Sequence, residues 1–236
     1  MVIKNSKKFN VGALFAITFL GILFTIFSPV FDGKNGLEFA DASFNKLAKG
    51  SSYFIPKVSK TVEASVGKSF VANITLDKAE DAESTAKLFT IAGAKAEQNG
   101  ASLKIAGDLG LVLQNALKDA EAMYHNDGKT VSERYGTNEK KALQNWWTAF
   151  SKIEKNMKKE KQLAEAKAIS EVMKKGIEPG YNFYQIDANK VSEHAGMLSG
   201  LLVFYVFYTM WWGYAIFYMF EGFGLTMKKA KVKKEA

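Results

Sequence analysis

The sequence has no cysteine, only two histidines and only three prolines in 236 residues. Without thiolates the chain can form neither disulfides nor thiolate-ligated iron–sulfur clusters, and it can attach neither c-type haem nor a lipid through cysteine. An exported domain of this chain must therefore be held together by its hydrophobic core. Neither His125 nor His194 has further ligands at the spacing that metal sites require, so the sequence predicts no metal and no cofactor.

Arginine is scarce and several catalytic motifs are absent. Arg134 is the single arginine, which indicates a bias in genome composition more than a buried carboxylate held by its guanidinium group. The sequence contains no G-x-S-x-G nucleophile elbow, no G-x-G-x-x-G and no Walker motif. The chain is therefore predicted not to be an enzyme. A non-catalytic subunit of an enzyme complex is compatible with this prediction, and an enzyme with an unfamiliar site is left open.

Positive charge is concentrated beside two long apolar runs. The formal net charge is +8, with Lys4, Lys7 and Lys8 before the first run and five lysines after the second. The region between the runs is almost neutral and has no basic stripe that could follow a phosphate backbone, so nucleic-acid binding is not expected. Under the positive-inside rule, both termini are predicted to lie in the cytoplasm.

Residues 11–31 form the first apolar run, with no charge over 21 residues. A helix of that length covers about 31 Å, which matches the hydrocarbon core of a bilayer. The run is longer than the apolar part of a signal peptide, and no A-x-A-like cleavage site follows it. We predict an uncleaved signal anchor whose helix ends or bends at Pro29.

Residues 195–220 form the second run, which is uncharged over 26 residues. A helix of that length spans about 39 Å, so it must tilt or protrude from the membrane. The predicted organisation is a cytoplasmic N-terminus (1–10), a first transmembrane helix (11–31), an extracytoplasmic domain (32–194), a second transmembrane helix (195–220) and a basic cytoplasmic tail (221–236). In a bacterium this places the chain in the cytoplasmic (inner) membrane and its central domain in the periplasm.

The second run carries an aromatic stripe, whose members share one helical face because their spacing is i, i+4, i+7 and i+11. The stripe consists of Phe207, Trp211, Tyr214 and Tyr218. Hydroxyl and indole N–H groups inside a membrane need hydrogen-bond partners. We predict that the stripe contacts other membrane-protein subunits, the alternative being that it faces lipid. Gly196 and Gly200 fit the GxxxG spacing of close helix packing and are assigned to the same contact surface.

Glu193 and His194 lie at the outer mouth of the second run. Together they are candidates for a polar site that handles a proton or a quinone in a larger complex, and the alternative is an ordinary interfacial pair. Haem ligation by both histidines is not expected. Glu221 follows the last apolar residue, so we place it at the inner interface, where an acid does not imply function.

The region between the runs begins with predicted helices and strands in alternation. A short amphipathic helix over residues 37–49 ends at Gly50, and the segment 51–66 suits either a helix or a strand. A strand begins at Phe70 and runs to about residue 76. The next helix is predicted to start at Asp77, as its cap, and to continue to about Gln98.

The second half of this region is predicted to be mainly helical. A strand at 101–106 precedes a helix at 109–124, so the order β-α-β-α predicts an α+β fold whose third strand would come from residues 57–66 or from a partner. A helix capped by Thr137 spans residues 138–175, either continuous or broken near 158–161. Pro179 and Gly180 then predict a turn, and Asp187 is predicted to cap a segment that leads into the second run.

The fold class predicted from these patterns is a membrane protein with two transmembrane α-helices flanking a mainly helical (α+β) extracytoplasmic domain. Such a chain, without catalytic motifs, is predicted to be an accessory or structural subunit of a bacterial cytoplasmic-membrane complex. Its exported domain would dock on or shield that assembly. The expected partners are other membrane-protein subunits and the lipid bilayer, and a homo-oligomer is left open. The alternative is a membrane-anchored ligand-sensing module that signals through a partner.

Overall fold

The structure, a computed structural model, describes residues 3–225. It is mainly helical, with one small sheet and two apolar helices, which confirms the coarse fold class. The elements are α1 (Ser6–Phe27), α2 (Gly36–Ser51), α3 (Ile55–Glu63), β1 (Ser69–Thr75), α4 (Ala79–Ile91), β2 (Lys95–Asn99), β3 (Ser102–Asp108), α5 (Leu109–Tyr124), α6 (Gly128–Tyr135), α7 (Glu139–Lys159), α8 (Leu163–Val172), α9 (Glu178–Asn182) and α10 (Ala195–Phe223).

The chain divides into two compact units. The helix-pair unit contains the residues up to 44 and those from 190 onward, and the central unit is Asn45–Asn189. In the helix-pair unit, α1 and α10 are both long and apolar enough to cross a membrane. Helix α1 begins at Ser6, earlier than the predicted residue 11, and the Asn5 side chain caps its N-terminus. It ends at Phe27, two residues before Pro29. Helix α10 extends past residue 220 to Phe223.

Helix α1 packs along α10 through a glycine. Gly12 is buried, and a Cβ added there would lie 2.6 Å from the Met219 backbone nitrogen and 2.9 Å from the Ala215 carbonyl oxygen. Only glycine therefore permits this close approach of the two helix backbones, as small residues do in apolar helix pairs. Gly12 is thus used for a helix–helix contact within the chain.

The central unit contains a three-stranded antiparallel sheet in the order β1-β3-β2. In β1, burial alternates along the strand, and Phe70 and Ile74 face the core. This alternation is the period-2 pattern that predicts a half-buried strand. The predicted strands at 70 and at 101–106 are both confirmed. In the register, Ile74 lies opposite Leu103, so the two strands contribute to the same apolar face.

The third strand is β2, and it corrects the helix that was predicted to reach Gln98. Helix α4 ends at Ile91, and Gly93 follows with a φ of +90°, which a residue with a side chain adopts at a steric cost. Strand β2 then pairs with β3 through a two-residue connection, since Asn99 lies opposite Ser102. Burial does not alternate cleanly along β2, so its sequence has little strand periodicity to detect.

Two predicted helix caps are also wrong. The N-cap of helix α4 is Lys78 and not the predicted Asp77, and the Lys78 side chain forms no capping hydrogen bond. Helix α7 is capped by Asn138, whose side chain accepts from the Lys141 N–H at 3.2 Å, and not by Thr137. Asparagine and threonine are both good N-caps, so the pattern located the helix start to within one residue.

The ambiguous segment 51–66 contains a helix, α3, with Val58 and Val62 buried. Gly50 does not end the preceding helix, because α2 continues to Ser51. Helix α5 matches the prediction at 109–124, and the Asp108 side chain caps it by accepting from the Leu111 N–H at 3.0 Å. Helix α6 was not predicted.

The segment 138–175, predicted to be either one continuous helix or a helix broken near 158–161, is broken there. Helix α7 ends at Lys159, and Lys161 adopts a φ of +62° before α8 begins. The turn predicted at Pro179 and Gly180 is wrong. A π-helical stretch, Met173–Ile177, leads directly into α9, and Pro179 is tolerated in the first turn because its missing N–H would be unpaired there.

Asp187 caps no helix. Residues 187–190 are irregular, and the helical backbone resumes only at the 3-10 turn Val191–His194 that precedes α10.

The core of the central unit lies between the sheet and α4, α5, α7 and α8. Trp146, Phe89 and Phe150 are its largest fully buried side chains, and their rings contact one another at centroid distances of 4.9 to 6.0 Å. A single apolar core thus holds this unit together without disulfides.

Candidate functional site

Two members of the predicted aromatic stripe face α1 of the same chain. The Trp211 indole Nε1 donates to the Phe15 carbonyl oxygen at 3.1 Å, and the two rings meet edge to face at 6.0 Å. The Tyr218 ring lies 6.1 Å from the Phe15 ring. One turn further along, the Tyr208 hydroxyl donates to the Phe19 carbonyl oxygen at 3.1 Å. Part of the stripe is therefore used within the chain, where the sequence predicted a partner subunit.

The other members of the stripe point away from α1. The side chains of Phe207 and Tyr214 are 66% and 48% exposed. Within residues 3–225, no atoms lie within 4 Å of the position that a Cβ would take at Gly196 or Gly200, so no other described element packs closely on the GxxxG pair. The predicted contact surface thus splits into an inner half that binds α1 and an outer half that is uncovered.

The uncovered half continues as a regular stripe along α10, which we call the outer face. Its residues recur alternately four and three positions apart, the period of 3.5 that lets a second helix pack alongside with a left-handed crossing. The outer face consists of Gly196, Gly200, Val203, Phe207, Met210, Tyr214 and Phe217. Beside it, Met210, Gly213, Tyr214 and Phe217 line a shallow groove of about 330 Å³.

Polar groups accompany this apolar surface. Within residues 3–225, neither the Tyr214 hydroxyl nor the Tyr205 hydroxyl forms a hydrogen bond. An unpaired hydroxyl in an apolar environment costs free energy because nothing replaces its hydrogen bond to water. The outer face therefore offers a partner both apolar contact area and a phenol that lacks an acceptor.

The two residues of the predicted polar site lie in a short turn just before the N-terminus of α10. Glu193 and His194 both lie in the 3-10 turn Val191–His194. The Glu193 carboxylate is 3.9 Å from the Lys190 ammonium, and the His194 Nδ1 is 3.2 Å from the Lys190 carbonyl oxygen. Both side chains thus contact a residue three or four positions earlier. A proton or quinone role for this pair stays a prediction.

The other end of the helix pair carries an ion pair that the sequence did not predict. The Lys8 ammonium donates to the Glu221 carboxylate at 2.7 Å, and the backbone N–H groups of Lys4 and Asn5 both donate to the Gly222 carbonyl oxygen at 2.9 Å. These contacts join the first turn of α1 to the last turn of α10. They also satisfy carbonyl and amide groups that helix ends otherwise leave unpaired.

A buried carboxylate, Asp119, organises the interior of the central unit. One of its oxygens accepts from Arg134 at 2.9 Å, and the other accepts from the Tyr135 hydroxyl at 2.6 Å and from the Trp146 indole Nε1 at 2.8 Å. The second guanidinium nitrogen of Arg134 donates to the Asn115 side-chain oxygen at 2.5 Å. The single arginine therefore holds a buried acid, which was the less favoured interpretation of the sequence, although only one of its nitrogens donates to the carboxylate.

Burial raises the pKa of Asp119 above its ordinary value, and the hydrogen bonds from Tyr135, Trp146 and Arg134 oppose that rise. Burial, with the negative charge of Asp119, raises the pKa of the Tyr135 hydroxyl. Each partner of Asp119 is a donor, so the arrangement fits an ionised carboxylate. It shows no nucleophile poised beside a base, and we interpret it as a structural cluster.

A second buried charge, Lys49, ties the end of α2 to the end of the central unit. Its ammonium donates to the Asn126 side-chain oxygen at 3.0 Å and to the carbonyl oxygens of Phe183 and Ile186 at 3.1 and 2.6 Å. The Tyr124 hydroxyl donates to the Lys49 carbonyl oxygen. Burial lowers the pKa of Lys49. Three acceptors for three N–H donors make this a fully satisfied buried lysine.

A pocket of about 320 Å³ opens between α7 and α9, and we call it the α7–α9 pocket. Leu143 and Ile177 are fully buried and form its apolar base, while the rings of Trp147 and Tyr181 line it with exposed surface. The Lys140 ammonium lies 5.6 Å from the centroid of the Tyr181 ring. Local sequence patterns do not reveal this pocket, because its residues lie on α7 and in the stretch 177–182, which are at least 30 positions apart in the chain.

Three polar side chains complete the lining of the α7–α9 pocket: Gln144, Glu178 and Asn182. Within the described part of the chain none of these side chains forms a hydrogen bond or an ion pair, and the same holds for the Trp147 indole N–H. All three side chains are exposed to solvent, so they are able to bind a molecule that enters over the apolar residues Leu143 and Ile177.

No protein-family model, curated protein or solved structure matches this chain. In residues 3–225, no group of three or more histidine, aspartate or glutamate side chains is placed to hold a metal ion. The outer face of α10 and the α7–α9 pocket are therefore the two candidate sites, and each rests on its own geometry.

Proposed function

We propose that this chain is an accessory or structural subunit of a bacterial cytoplasmic-membrane complex, with α1 and α10 as transmembrane helices. The length and apolarity of the two helices support this proposal. So does the placement of Lys8 and Glu221 together at one end of the pair, where a charged pair meets the membrane interface. With both termini in the cytoplasm, the central unit is periplasmic and would dock on or shield the rest of the assembly.

The observation that carries the proposal is the outer face of α10. A helix that only anchors a domain needs no regular stripe, because lipid tails cover any apolar surface equally well. Here a stripe with a period of 3.5 runs over about six turns from the Gly196–Gly200 pair, although residues 199–207 are exposed on every side. The Tyr214 hydroxyl lies in this stripe and has no acceptor within residues 3–225. We infer that a transmembrane helix of another subunit packs along this stripe and supplies that acceptor.

Site-specific photo-crosslinking tests the proposal. A photoreactive amino acid at Phe207, on the outer face, is expected to crosslink to one protein in the native membrane. The same residue at Leu202, which is 65% exposed but lies off the stripe, serves as the matched control. Equal labelling at both positions, or labelling of lipid alone at Phe207, contradicts the proposal.

Native mass spectrometry after mild solubilisation gives the composition of the complex. A mass that exceeds the chain by other subunits is expected, and a multiple of the chain mass would identify a homo-oligomer. A lone monomer under conditions that preserve other membrane complexes contradicts the subunit proposal.

A ligand-sensing module is the second candidate, and the α7–α9 pocket favours it. The pocket lies wholly in the central unit and has uncommitted polar groups. In this case the signal would pass through a partner at the outer face. A small molecule that raises the melting temperature of the full chain, and loses that effect when Glu178 is changed, would support sensing over a purely structural role.

A further inference from the structure

We propose that the α7–α9 pocket binds a small organic ammonium ion, such as a trimethylated amine, between the rings of Trp147 and Tyr181 with Glu178 as its counter-charge. The volume of about 320 Å³ lies at the lower end of the range for ligand pockets, roughly 300–1,000 Å³. It suits a compact ligand and excludes a large cofactor.

The two rings provide the first part of the argument. Tryptophan is the strongest cation–π acceptor among the side chains, and quaternary ammonium groups are recognised by sites built from such rings. The Tyr181 ring already attracts a cation, since the Lys140 ammonium lies 5.6 Å from its centroid. The buried side chains of Leu143 and Ile177, which also line the pocket, match the methyl groups of an alkylated amine.

Charge provides the second part. The lining contains one carboxylate, Glu178, and no lysine, arginine or histidine. Glu178 has no ion pair within residues 3–225, so a cationic ligand gives it a partner. An anionic ligand would meet this carboxylate with no compensating charge. A sugar could use the same rings and amides, but it leaves Glu178 without a counter-charge, and we therefore favour the ammonium ion.

This binding does not depend on the partner helix at the outer face of α10. If the chain is a ligand sensor, the ammonium ion is the class of ligand that it senses. The same binding is compatible with a structural subunit that holds a small molecule. Crosslinking at Phe207 and ligand binding at the pocket are separate measurements, so either proposal can fail alone.

Calorimetric titration of the full chain in detergent micelles tests the inference, with choline chloride as the probe. We expect saturable binding in roughly the millimolar range or tighter, because the pocket is open to solvent and each cation–π contact there is weak. The control ligand is 3,3-dimethyl-1-butanol, which has the shape of choline without its charge. It is expected to bind at least tenfold more weakly. Equal binding of the neutral analogue, preferential binding of glucose, or no binding of choline overturns the inference.

Variants of the lining residues locate the binding. Glu178→Gln is expected to weaken choline binding about tenfold, whereas Glu63→Gln, an exposed acid outside the pocket, leaves it unchanged. Trp147→Phe retains a ring with a weaker π face and is expected to reduce affinity about threefold, and Trp147→Leu to abolish it. Since Trp147 packs against the core, circular dichroism must first show that each variant is folded, and Trp147→Phe keeps the test valid if Trp147→Leu is not.

Lys140→Gln separates an ammonium ion from a neutral ligand. Removal of a like charge close to the Tyr181 ring is expected to strengthen choline binding about twofold, and less at high salt. A neutral ligand would show no such change. If Lys140→Gln weakens choline binding, or if Glu178→Gln leaves it unchanged, the assignment of the ligand class is wrong.

Discussion

The central unit pairs its two buried charges internally, whereas the helix-pair unit leaves large apolar side chains and a phenol hydroxyl uncovered. In the central unit, the buried charges Asp119 and Lys49 each have a partner for every polar atom they present. In the helix-pair unit, large apolar side chains such as Phe207 are exposed while the Tyr214 hydroxyl has no acceptor within the described residues. The buried charges of the central unit are thus paired within it, with the Thr85 hydroxyl as a buried exception, whereas α10 presents apolar surface that the described residues leave uncovered. Changes to Asp119, Trp146 and Phe207 test this contrast, beginning with the largest effect.

Asp119→Asn is expected to produce the largest loss of stability. The amide would place an N–H group against donors from Trp146 and Tyr135 and would leave the Arg134 charge without its carboxylate. Removing one partner of a buried pair typically costs about 3–5 kcal/mol in the free energy of unfolding. Denaturation of the full chain in detergent, followed by near-ultraviolet circular dichroism, measures this loss. Asp77→Asn, at a side chain that is 91% exposed, is the matched control, and an equal effect at both sites would show that Asp119 is not a structural charge.

Trp146→Phe is expected to cost less, about 1–3 kcal/mol, because it removes one donor to Asp119 and keeps most of the buried ring. The ring contacts with Phe89 and Phe150 are largely preserved. If Trp146→Phe costs as much as Asp119→Asn, packing volume and not the hydrogen bond holds the cluster, and the satisfied polar core described for the central unit would need revision.

Phe207→Ala is expected to have the smallest effect on the chain itself, within about 0.5 kcal/mol, because its side chain is exposed. In the native membrane the same change is expected to reduce recovery of the intact complex, since a stripe residue at a helix interface is lost. Thermal unfolding of the isolated chain and native mass spectrometry of the complex measure the two effects. A large loss of stability in the isolated chain would mean that Phe207 already has a partner within it, and the two units would no longer differ.

The sequence predicted elements with a clear local period and missed those without one. The alternating apolar residues of β1 and the helical segments α5 and α7 were recognisable. The starts of α2, α4, α5 and α7 were predicted to within one residue, whereas α1 begins five residues before the predicted position and α6 was missed. Strand β2 was absorbed into a helix because neither of its faces is consistently buried. The Asp119 cluster was missed because its members come from α5, α6 and α7, and no local spacing links Asp119, Tyr135 and Trp146.

The sequence by itself determined that this chain has two long apolar helices beside lysine clusters, and a nearly neutral α+β region between them. Helical hydrogen bonds and side-chain periodicity are local, so these features can be read along the chain. Only the tertiary structure decided that Trp211 and Tyr218 face α1 while Phe207 and Tyr214 do not, that Arg134 holds a buried acid, and that Trp147 and Tyr181 share a pocket. Such pairings depend on which surfaces meet when elements distant in the chain pack together, and a local pattern contains no information on that choice.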